Sequence, residues 1–333
     1  MKILFYDIKE FEFDYLTNRI KNNIQPYFFR YPLSPNTYVD EKYLDCEALS
    51  VFVSSNLTKD VLSRFKNLKY IFLRCTGYSN CDLEFCAKHN IKIFNTPNYA
   101  PSSIAEFAFG LILALSRKII QAKEGLYKGE INHNELTGFE LNSKTLGLIG
   151  AGHIGQKILK IAEGFNMKTV VYDIDKTQNL NYVGLDELYK ISDIIILSCP
   201  LTDETKGMIN KNSLNKMKKS AILINIARGE IVNTKDLLEA LVKKKIKAAA
   251  LDVIECEEKT CKLWGFCVNT DKRESCLKKF LFIQKLKTMD NVIITPHIAY
   301  NTEEAISEIL NITLENIQSS FKINSDTKNI VML

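Results

Sequence analysis

The feature that most constrains this chain is a glycine-rich turn, with Gly150, Gly152 and Gly155 in the spacing Gly-X-Gly-X-X-Gly. An apolar run, 145–149, precedes the turn and a stretch with helical character, 156–164, follows it. In a dinucleotide-binding unit, the first glycine permits the tight turn and the second lets backbone approach a pyrophosphate. The third lets the helix pack on the strand. The pattern therefore predicts a Rossmann-type nucleotide-binding domain.

The type of dinucleotide follows from the acid after the next apolar run, 169–172. Asp173 lies 18 residues beyond Gly155, where the end of the second strand brings a carboxylate to a ribose 2′-hydroxyl. A 2′-phosphate would meet this negative charge. The sequence therefore predicts NAD rather than NADP.

Length and composition restrict the remaining possibilities. A chain of 333 residues is too long for one ordinary core and suits two domains. A net charge of +5, with the lysines spread along the chain, does not favour nucleic-acid binding. No apolar run has transmembrane length, so we expect no membrane partner and a cytoplasmic protein whose nine cysteines are reduced.

Four of the cysteines, Cys256, Cys261, Cys267 and Cys276, fall in one short stretch. Four thiolates could bind zinc or an iron–sulfur cluster, but the spacing lacks the paired Cys-X-X-Cys of the common sites. We therefore predict unpaired thiols in a loop and no metal.

Strand-like and helix-like runs alternate along the chain, which favours parallel sheets with helices on both faces. The predicted strands are 2–6, 49–53, 70–74, 91–95, 145–149, 169–172, 194–198, 221–225, 248–253 and 292–295. We predict two doubly wound α/β domains: a Rossmann-type NAD-binding domain, 101–298, inserted in a flavodoxin-like substrate domain, 1–100 with 299–333. The cleft between them is the expected active site.

Two helices frame the predicted insertion. An apolar helix should begin near Pro101, capped by Ser102 or Ser103 with Glu106, and continue through Ile119. Its apolar character predicts burial between domains or between subunits. A second helix, capped by Asn301-Thr302-Glu303, is expected to return to the first domain.

Three residues at predicted strand ends could perform chemistry beside a nicotinamide. His297 could hold a proton, Arg228 could bind a carboxylate and polarise a carbonyl, and Glu257 could favour the protonated imidazole. Because parallel strands end at one sheet edge, these groups should converge near the glycine turn. An ordinary salt bridge at a strand end is the alternative for each of them.

Several motifs in this order carry a family resemblance: Arg74-Cys75-Thr76-Gly77-Tyr78, Asn95-Thr96-Pro97-Asn98-Tyr99-Ala100-Pro101, the glycine turn, Asn225-Ile226-Ala227-Arg228-Gly229-Glu230, Leu251-Asp252-Val253 with Glu257, and Thr295-Pro296-His297-Ile298-Ala299-Tyr300. The chain resembles the D-isomer-specific 2-hydroxyacid dehydrogenases, and among them most resembles the D-lactate dehydrogenases.

The resemblance implies a role for each matching position. Arg228 would bind the 2-oxo acid, His297 would donate the proton, and Glu257 would hydrogen-bond His297. The implied substrate-binding set is Cys75, Thr76, Gly77, Tyr99, Arg228 and Tyr300. The implied cofactor-binding set is Gly150, Gly152, His153, Ile154, Gly155, Asp173, Cys199, Pro200, Thr205, Ile226, Ala227, Arg228 and Asp252. A homodimer, with 101–119 at its interface, is implied as well.

The expected reaction is the reduction of pyruvate to D-lactate by NADH. A branched-chain 2-hydroxy acid, hydroxypyruvate or 3-phosphoglycerate is the alternative substrate. An NAD-sensing protein similar to the transcriptional corepressors on this fold is the alternative from a different functional class.

Overall fold

The computed structural model describes residues 1–21, 23–256, 273–322 and 328–331. The chain divides into two compact units. Unit 1 comprises Met1–Tyr99 and Thr302–Leu333, and unit 2 comprises Ala100–Asn301. The chain thus leaves unit 1, builds unit 2 as one continuous segment, and returns to unit 1.

Strands and helices alternate along the described residues. The strands are β1 (Lys2–Phe5), β2 (Gln25–Phe28), β3 (Ala48–Val51), β4 (Tyr70–Leu73), β5 (Lys92–Phe94), β6 (Thr145–Ile149), β7 (Lys168–Tyr172), β8 (Ile194–Leu197), β9 (Ile222–Asn225), β10 (Ala248–Leu251) and β11 (Val292–Ile294). The helices are α1 (Glu10–Thr17), α2 (Lys59–Leu62), α3 (Leu83–Lys88), α4 (Pro101–Ser116), α5 (Ile119–Lys128), α6 (His153–Gly164), α7 (Leu185–Ile191), α8 (Lys211–Lys216), α9 (Thr234–Val242), α10 (Arg273–Lys287) and α11 (Glu303–Ser319).

Unit 1 contains a five-stranded parallel sheet in the order β2-β1-β3-β4-β5, which is the flavodoxin-like order. Side chains alternate between two cores. Leu4 and Leu49 pack on one face of the sheet, and Ile3 and Phe5 pack on the other. Helix α11 covers the second face, so both faces of the sheet are buried.

Unit 2 contains a six-stranded parallel sheet in the order β11-β10-β9-β8-β6-β7. Beyond β7, Tyr182 forms a parallel bridge with Val171 and occupies the place of one more strand. With that bridge, the order from Tyr182 to β10 is the Rossmann order 3-2-1-4-5-6, and β11 extends it. The predicted class, two doubly wound parallel-sheet domains with one of Rossmann type, is confirmed.

Most predicted strands agree with the structure to within two residues at either end, but β2 was not predicted. It contains Pro26, which donates no hydrogen bond, and it lies at the sheet edge where proline is tolerated. The apolar helix was predicted too long, because Lys118, at φ +53°, separates α4 from α5. The predicted serine cap was also wrong, since α4 begins at Pro101 with Ala100 as N-cap.

No helix in the described ranges is both long enough and apolar enough to cross a bilayer. None of the six cysteines that the structure describes, including Cys256, forms a disulfide. Cys261, Cys267 and the side chain of Cys276 lie outside the described residues. The prediction about this cysteine group therefore stays a prediction.

Candidate active site

The glycine-rich turn joins β6 to α6 at the carboxyl edge of the unit 2 sheet. Gly150 has φ +98°, and a Cβ there would lie 2.6 Å from the backbone nitrogen of Cys199. A Cβ at Gly155 would lie 2.3 Å from the Gly150 carbonyl oxygen, so this glycine lets the helix pack on the turn. At Gly152, by contrast, a Cβ would meet no described atom within 4 Å. The turn is therefore rigid at two glycines and open to a ligand at the third.

The amino end of α6 suits a pyrophosphate. Gly152 is the N-cap and has no side chain to accept from the N–H groups of the first turn, which begins at His153 and Ile154. The helix dipole adds partial positive charge at this end. The open space at Gly152 and these N–H donors fit a bound dinucleotide.

Asp173 directly follows β7 and contacts the glycine turn. One carboxylate oxygen accepts a hydrogen bond from the backbone N–H of Ala151 at 2.5 Å, and the other accepts from Asp175 at 2.9 Å. Gln178 donates from Nε2 to the carbonyl oxygen of Ala151 at 3.3 Å. A half-buried acid thus lies where a ribose hydroxyl could reach it.

The residues after β8 form a wall beside the same turn. Ser198 donates from Oγ to the Gly150 carbonyl oxygen at 2.6 Å. Burial raises the pKa of the Cys199 thiol to about 11, so this side chain is neutral near pH 7. In the following loop, Thr205 Oγ1 donates to the carbonyl oxygen of Pro200 at 2.7 Å. Pro200 and Thr205 therefore belong to one local turn.

Asn225, the buried last residue of β9, shapes the loop that carries Arg228. Its Nδ2 donates to the Arg228 carbonyl oxygen at 2.9 Å, and its Oδ1 accepts from the backbone N–H of Ala227 at 3.1 Å. A Cβ at Gly229 would lie 2.0 Å from the carbonyl oxygen of Ile254, so only glycine fits there. The loop is therefore fixed against the segment that follows β10.

The guanidinium of Arg228 is half-buried, and its Nη1 donates to the Ala227 carbonyl oxygen at 2.7 Å. Among the residues that the structure describes, no carboxylate forms an ion pair with Arg228. Its remaining N–H donors can therefore bind an anionic ligand in a forked geometry.

Asp252, which directly follows β10, holds the turn after β11. The residue is 1% exposed. Its Oδ1 accepts from Thr295 Oγ1 at 2.6 Å and from the backbone N–H of Ile298 at 3.0 Å. Its Oδ2 accepts from the backbone N–H of Ala299 at 2.9 Å. The carboxylate is therefore bonded to the residues on both sides of His297.

His297 lies at the centre of that turn, with φ +53°. Its backbone N–H donates to the Asp252 carbonyl oxygen at 2.9 Å, while its imidazole is exposed. The ring packs edge-to-face with Tyr300, with 6.4 Å between the ring centroids. The left-handed backbone of a non-glycine residue is costly and is common at functional sites.

Glu257, the predicted partner of His297, lies outside the described residues. The preceding acid, Glu255, has a structural role. Its Oε2 accepts from the backbone N–H of Thr234, the first residue of α9, at 2.8 Å, and its Oε1 lies 2.7 Å from Lys279 Nζ. Glu255 is therefore not a candidate for the acid beside the imidazole.

In unit 1, the segment after β4 forms a loop whose carbonyl groups are bonded. The Thr76 carbonyl oxygen accepts from Asn95 Nδ2 at 2.8 Å, and Thr76 Oγ1 donates to the Thr96 carbonyl oxygen at 3.0 Å. The backbone N–H groups of Thr76 and Gly77 have no acceptor in the described part of the chain, and both residues are exposed. We call these two groups the amide nest, since consecutive free N–H groups bind anions.

The structure brings Arg228, His297, Tyr300 and the predicted cofactor residues to the carboxyl edge of the unit 2 sheet, where they lie in loops or in the first turn of α6. Cys75, Thr76, Gly77 and the half-buried Tyr99 lie in unit 1. Sequence reasoning missed Gln178, Ser198 and Asn225 as supporting residues. Asn225 lies in one of the motifs that carry the family resemblance, and Ser198 directly follows a buried strand, but Gln178 lies in a loop with no such signal.

Comparison with known proteins agrees with this geometry. Residues 109–299 match a family model described as "D-isomer specific 2-hydroxyacid dehydrogenase, NAD binding domain". An aromatic 2-oxoacid reductase of Clostridium sporogenes is 35% identical over 339 residues, which covers 99% of this chain and 98% of the relative.

Solved structures are similar over nearly the whole chain. The apo-structure of the Escherichia coli D-lactate dehydrogenase has a TM-score of 0.82 at 30% identity and full coverage of both chains. The Aquifex aeolicus D-lactate dehydrogenase, complexed with NAD and lactic acid, has a TM-score of 0.80 at 32% identity, with 99% and 98% of the chains covered.

Proposed function

The chain belongs to the D-isomer-specific 2-hydroxyacid dehydrogenases, which are NAD-dependent oxidoreductases, and from this premise we propose that it reduces pyruvate to D-lactate with NADH. The observation that carries the proposal is the convergence of a nucleotide-binding turn, a guanidinium and an imidazole at one sheet edge. The similarity to D-lactate dehydrogenases, one of them holding NAD and lactic acid, supports this choice of substrate.

The proposed mechanism assigns one task to each side chain. NADH, when bound, supplies the hydride that reduces the carbonyl carbon. Arg228 hydrogen-bonds the 2-oxo acid, and its charge stabilises the negative charge that develops on the carbonyl oxygen. His297 donates a proton to that oxygen, and Glu257 favours the protonated imidazole that makes this donation possible.

The remaining predicted residues bind and position the reactants. We assign the substrate carboxylate to the amide nest, and substrate contacts to Cys75, Tyr99 and Tyr300. Asp173 would accept from the adenosine ribose. The nicotinamide half would contact Cys199, Pro200, Thr205, Ile226, Ala227 and Asp252. The hydrogen bonds of Asp252 add a task that the sequence did not predict, which is to hold the turn of His297.

A second substrate class, the aromatic 2-oxo acids, is favoured by one observation. The Clostridium sporogenes relative, similar over nearly the entire chain, is an aromatic 2-oxoacid reductase. Pyruvate and an aromatic 2-oxo acid share the carboxylate and the ketone, so the same groups would bind and reduce them. Only the residues around the substrate side chain would differ.

A substrate panel tests the proposal. NADH oxidation is followed spectrophotometrically with pyruvate, phenylpyruvate, 2-oxoisocaproate, hydroxypyruvate and 3-phosphohydroxypyruvate, with NADPH in parallel. We expect the highest kcat/KM with pyruvate and NADH, and oxidation of D-lactate but not L-lactate by NAD. A maximum at phenylpyruvate would assign the aromatic class. Absence of turnover with every 2-oxo acid would favour an NAD-sensing protein.

We also propose a homodimer, on the evidence of exposed apolar side chains in and after α5. Leu126 is 63% exposed and Tyr127 is 77% exposed, and Ile119 and Ile131 are exposed as well. Large apolar side chains exposed this close together in the sequence favour an interface with a second subunit. Light scattering should show a dimer for the wild type and a monomer for Leu126→Glu with Tyr127→Glu. The control Lys128→Glu should stay dimeric, and a monomeric wild type would refute the proposal.

A further inference from the structure

Arg74 places a charged side chain in the interior of unit 1. It directly follows β4, and only 1% of the residue is exposed. Its Nη1 donates to Ser50 Oγ in β3 at 3.1 Å. Its Nη2 donates to the carbonyl oxygens of Tyr6 at 2.5 Å and Asp7 at 3.1 Å, just after β1. The guanidinium thus links the carboxyl ends of the three central strands.

The positive charge of Arg74 is incompletely balanced. The guanidinium forms no ion pair within the described ranges, and its Nε is buried without an acceptor. The carboxylates of Asp7 and Glu12 act on it only through space, and burial lowers its pKa. Arginine nevertheless stays protonated in proteins, and an unpaired buried cation is unfavourable. A bound anion nearby would improve this balance.

The amide nest begins two residues after Arg74, and its backbone is held on both sides. The backbone N–H of Arg74 donates to the Val51 carbonyl oxygen at 2.8 Å. Thr96 Oγ1 donates to the Leu73 carbonyl oxygen at 2.8 Å, and the Thr96 N–H donates to the Cys75 carbonyl oxygen at 3.0 Å. The buried charge and the two N–H donors therefore share one rigid stretch of backbone.

We propose that Arg74 is a positioning residue for the amide nest and supplies the positive potential that favours a carboxylate there. This inference rests on the proposed function, since the anion is the carboxylate of the 2-oxo acid. Little solvent separates a buried charge from its surroundings, so salt screens it less than it screens a surface lysine. Arg74 acts by holding the backbone that leads to the amide nest and by its electrostatic field, and it does not contact the substrate.

The test compares Arg74→Gln, which removes the charge, with Arg74→Lys, which keeps it. For Arg74→Gln we expect KM for pyruvate and the Kd of oxamate, a non-reacting 2-oxo acid analogue, to rise about tenfold. Its kcat should change less, and the Kd of NADH should be unchanged because NADH binds unit 2. Arg74→Lys retains a cation but loses the forked hydrogen bonds, so both substrate constants should lie between those of the wild type and Arg74→Gln. Oxamate binding is measured by calorimetry with NADH present.

The matched control is Lys69→Gln, which removes one positive charge just before the opposite end of β4. Lys69 is 62% exposed at its side chain, so its loss should leave KM and the Kd of oxamate unchanged. Unchanged constants in a folded Arg74→Gln variant would overturn the inference. If that variant does not fold, a tenfold rise in Arg74→Lys would overturn it as well. A wild type without any 2-oxo acid reductase activity would refute the proposed function instead.

Discussion

The carboxyl edges of the two parallel sheets both carry backbone N–H groups without acceptors in the described chain. The two edges differ in the contacts that hold their loops in place. In unit 2, Gly150, Gly155 and Gly229 would each bring a Cβ to within 2.6 Å of a neighbouring backbone atom. In unit 1, a Cβ at Gly77 would meet no described atom within 4 Å. Its loop is held by hydrogen bonds from Asn95 and Thr96 instead.

This difference predicts which kind of substitution should disturb each edge. Contacts between backbone segments leave no room for a side chain at the unit 2 glycines, so unit 2 should respond to added volume as well as to loss of the hydrogen bonds of Asn225 and Asp252. A loop held by side-chain hydrogen bonds has room but depends on the chemistry of those side chains. Unit 1 should therefore respond to altered charge or altered donors.

The largest expected effect is that of Gly229→Ala. The added Cβ would overlap the Ile254 carbonyl oxygen, so the Arg228 loop must move, and we expect loss of detectable turnover with a stability decrease of about 3 kcal/mol or more. Turnover and thermal unfolding measure this. The control Gly77→Ala should lower the stability by less than about 1 kcal/mol. Equal losses in the two variants would contradict the comparison.

The next largest effect is expected for His297→Gln, which tests whether the unit 2 edge supplies the proton of the reaction. His297→Gln removes the proposed proton donor, and we expect kcat to fall by about 10²–10⁴. The Kd of NADH, measured by fluorescence, should stay within about twofold, because the glycine turn binds it independently. Comparable losses in kcat and NADH affinity would remove His297 from the chemical step.

The smallest effect is expected when the hydrogen bonds that hold the turn of His297 are weakened. Asp252→Asn weakens the hydrogen bonds to Ile298 and Ala299, so the turn should loosen and kcat should fall about tenfold, with a stability loss of about 1–3 kcal/mol. Glu255→Gln is the control, because Glu255 bonds the first residue of α9 and not the turn of His297. It should lower stability with little change in kcat. If Glu255→Gln lowered kcat more than Asp252→Asn does, Asp252 would not be the residue that holds the turn of His297.

Local patterns were sufficient to predict most of the fold and the key loops. The apolar runs predicted most strands to within two residues, because strands buried on both faces of a parallel sheet are apolar almost without interruption. The edge strand β2 was missed because Pro26 interrupts its pattern. The break between α4 and α5 was missed because Lys118 adopts a left-handed conformation that its residue type does not announce.

The sequence by itself determined the glycine turn, most of the strands and helices in their order along the chain, and the family, since these depend on residues close together in the chain. Only the tertiary structure decided what Arg74 and Asp252 do. Arg74 bonds Tyr6, 68 residues away, and Asp252 bonds Ala299, 47 residues away. Burial and hydrogen-bond partners of this kind arise when distant strands pair, so no local pattern encodes them.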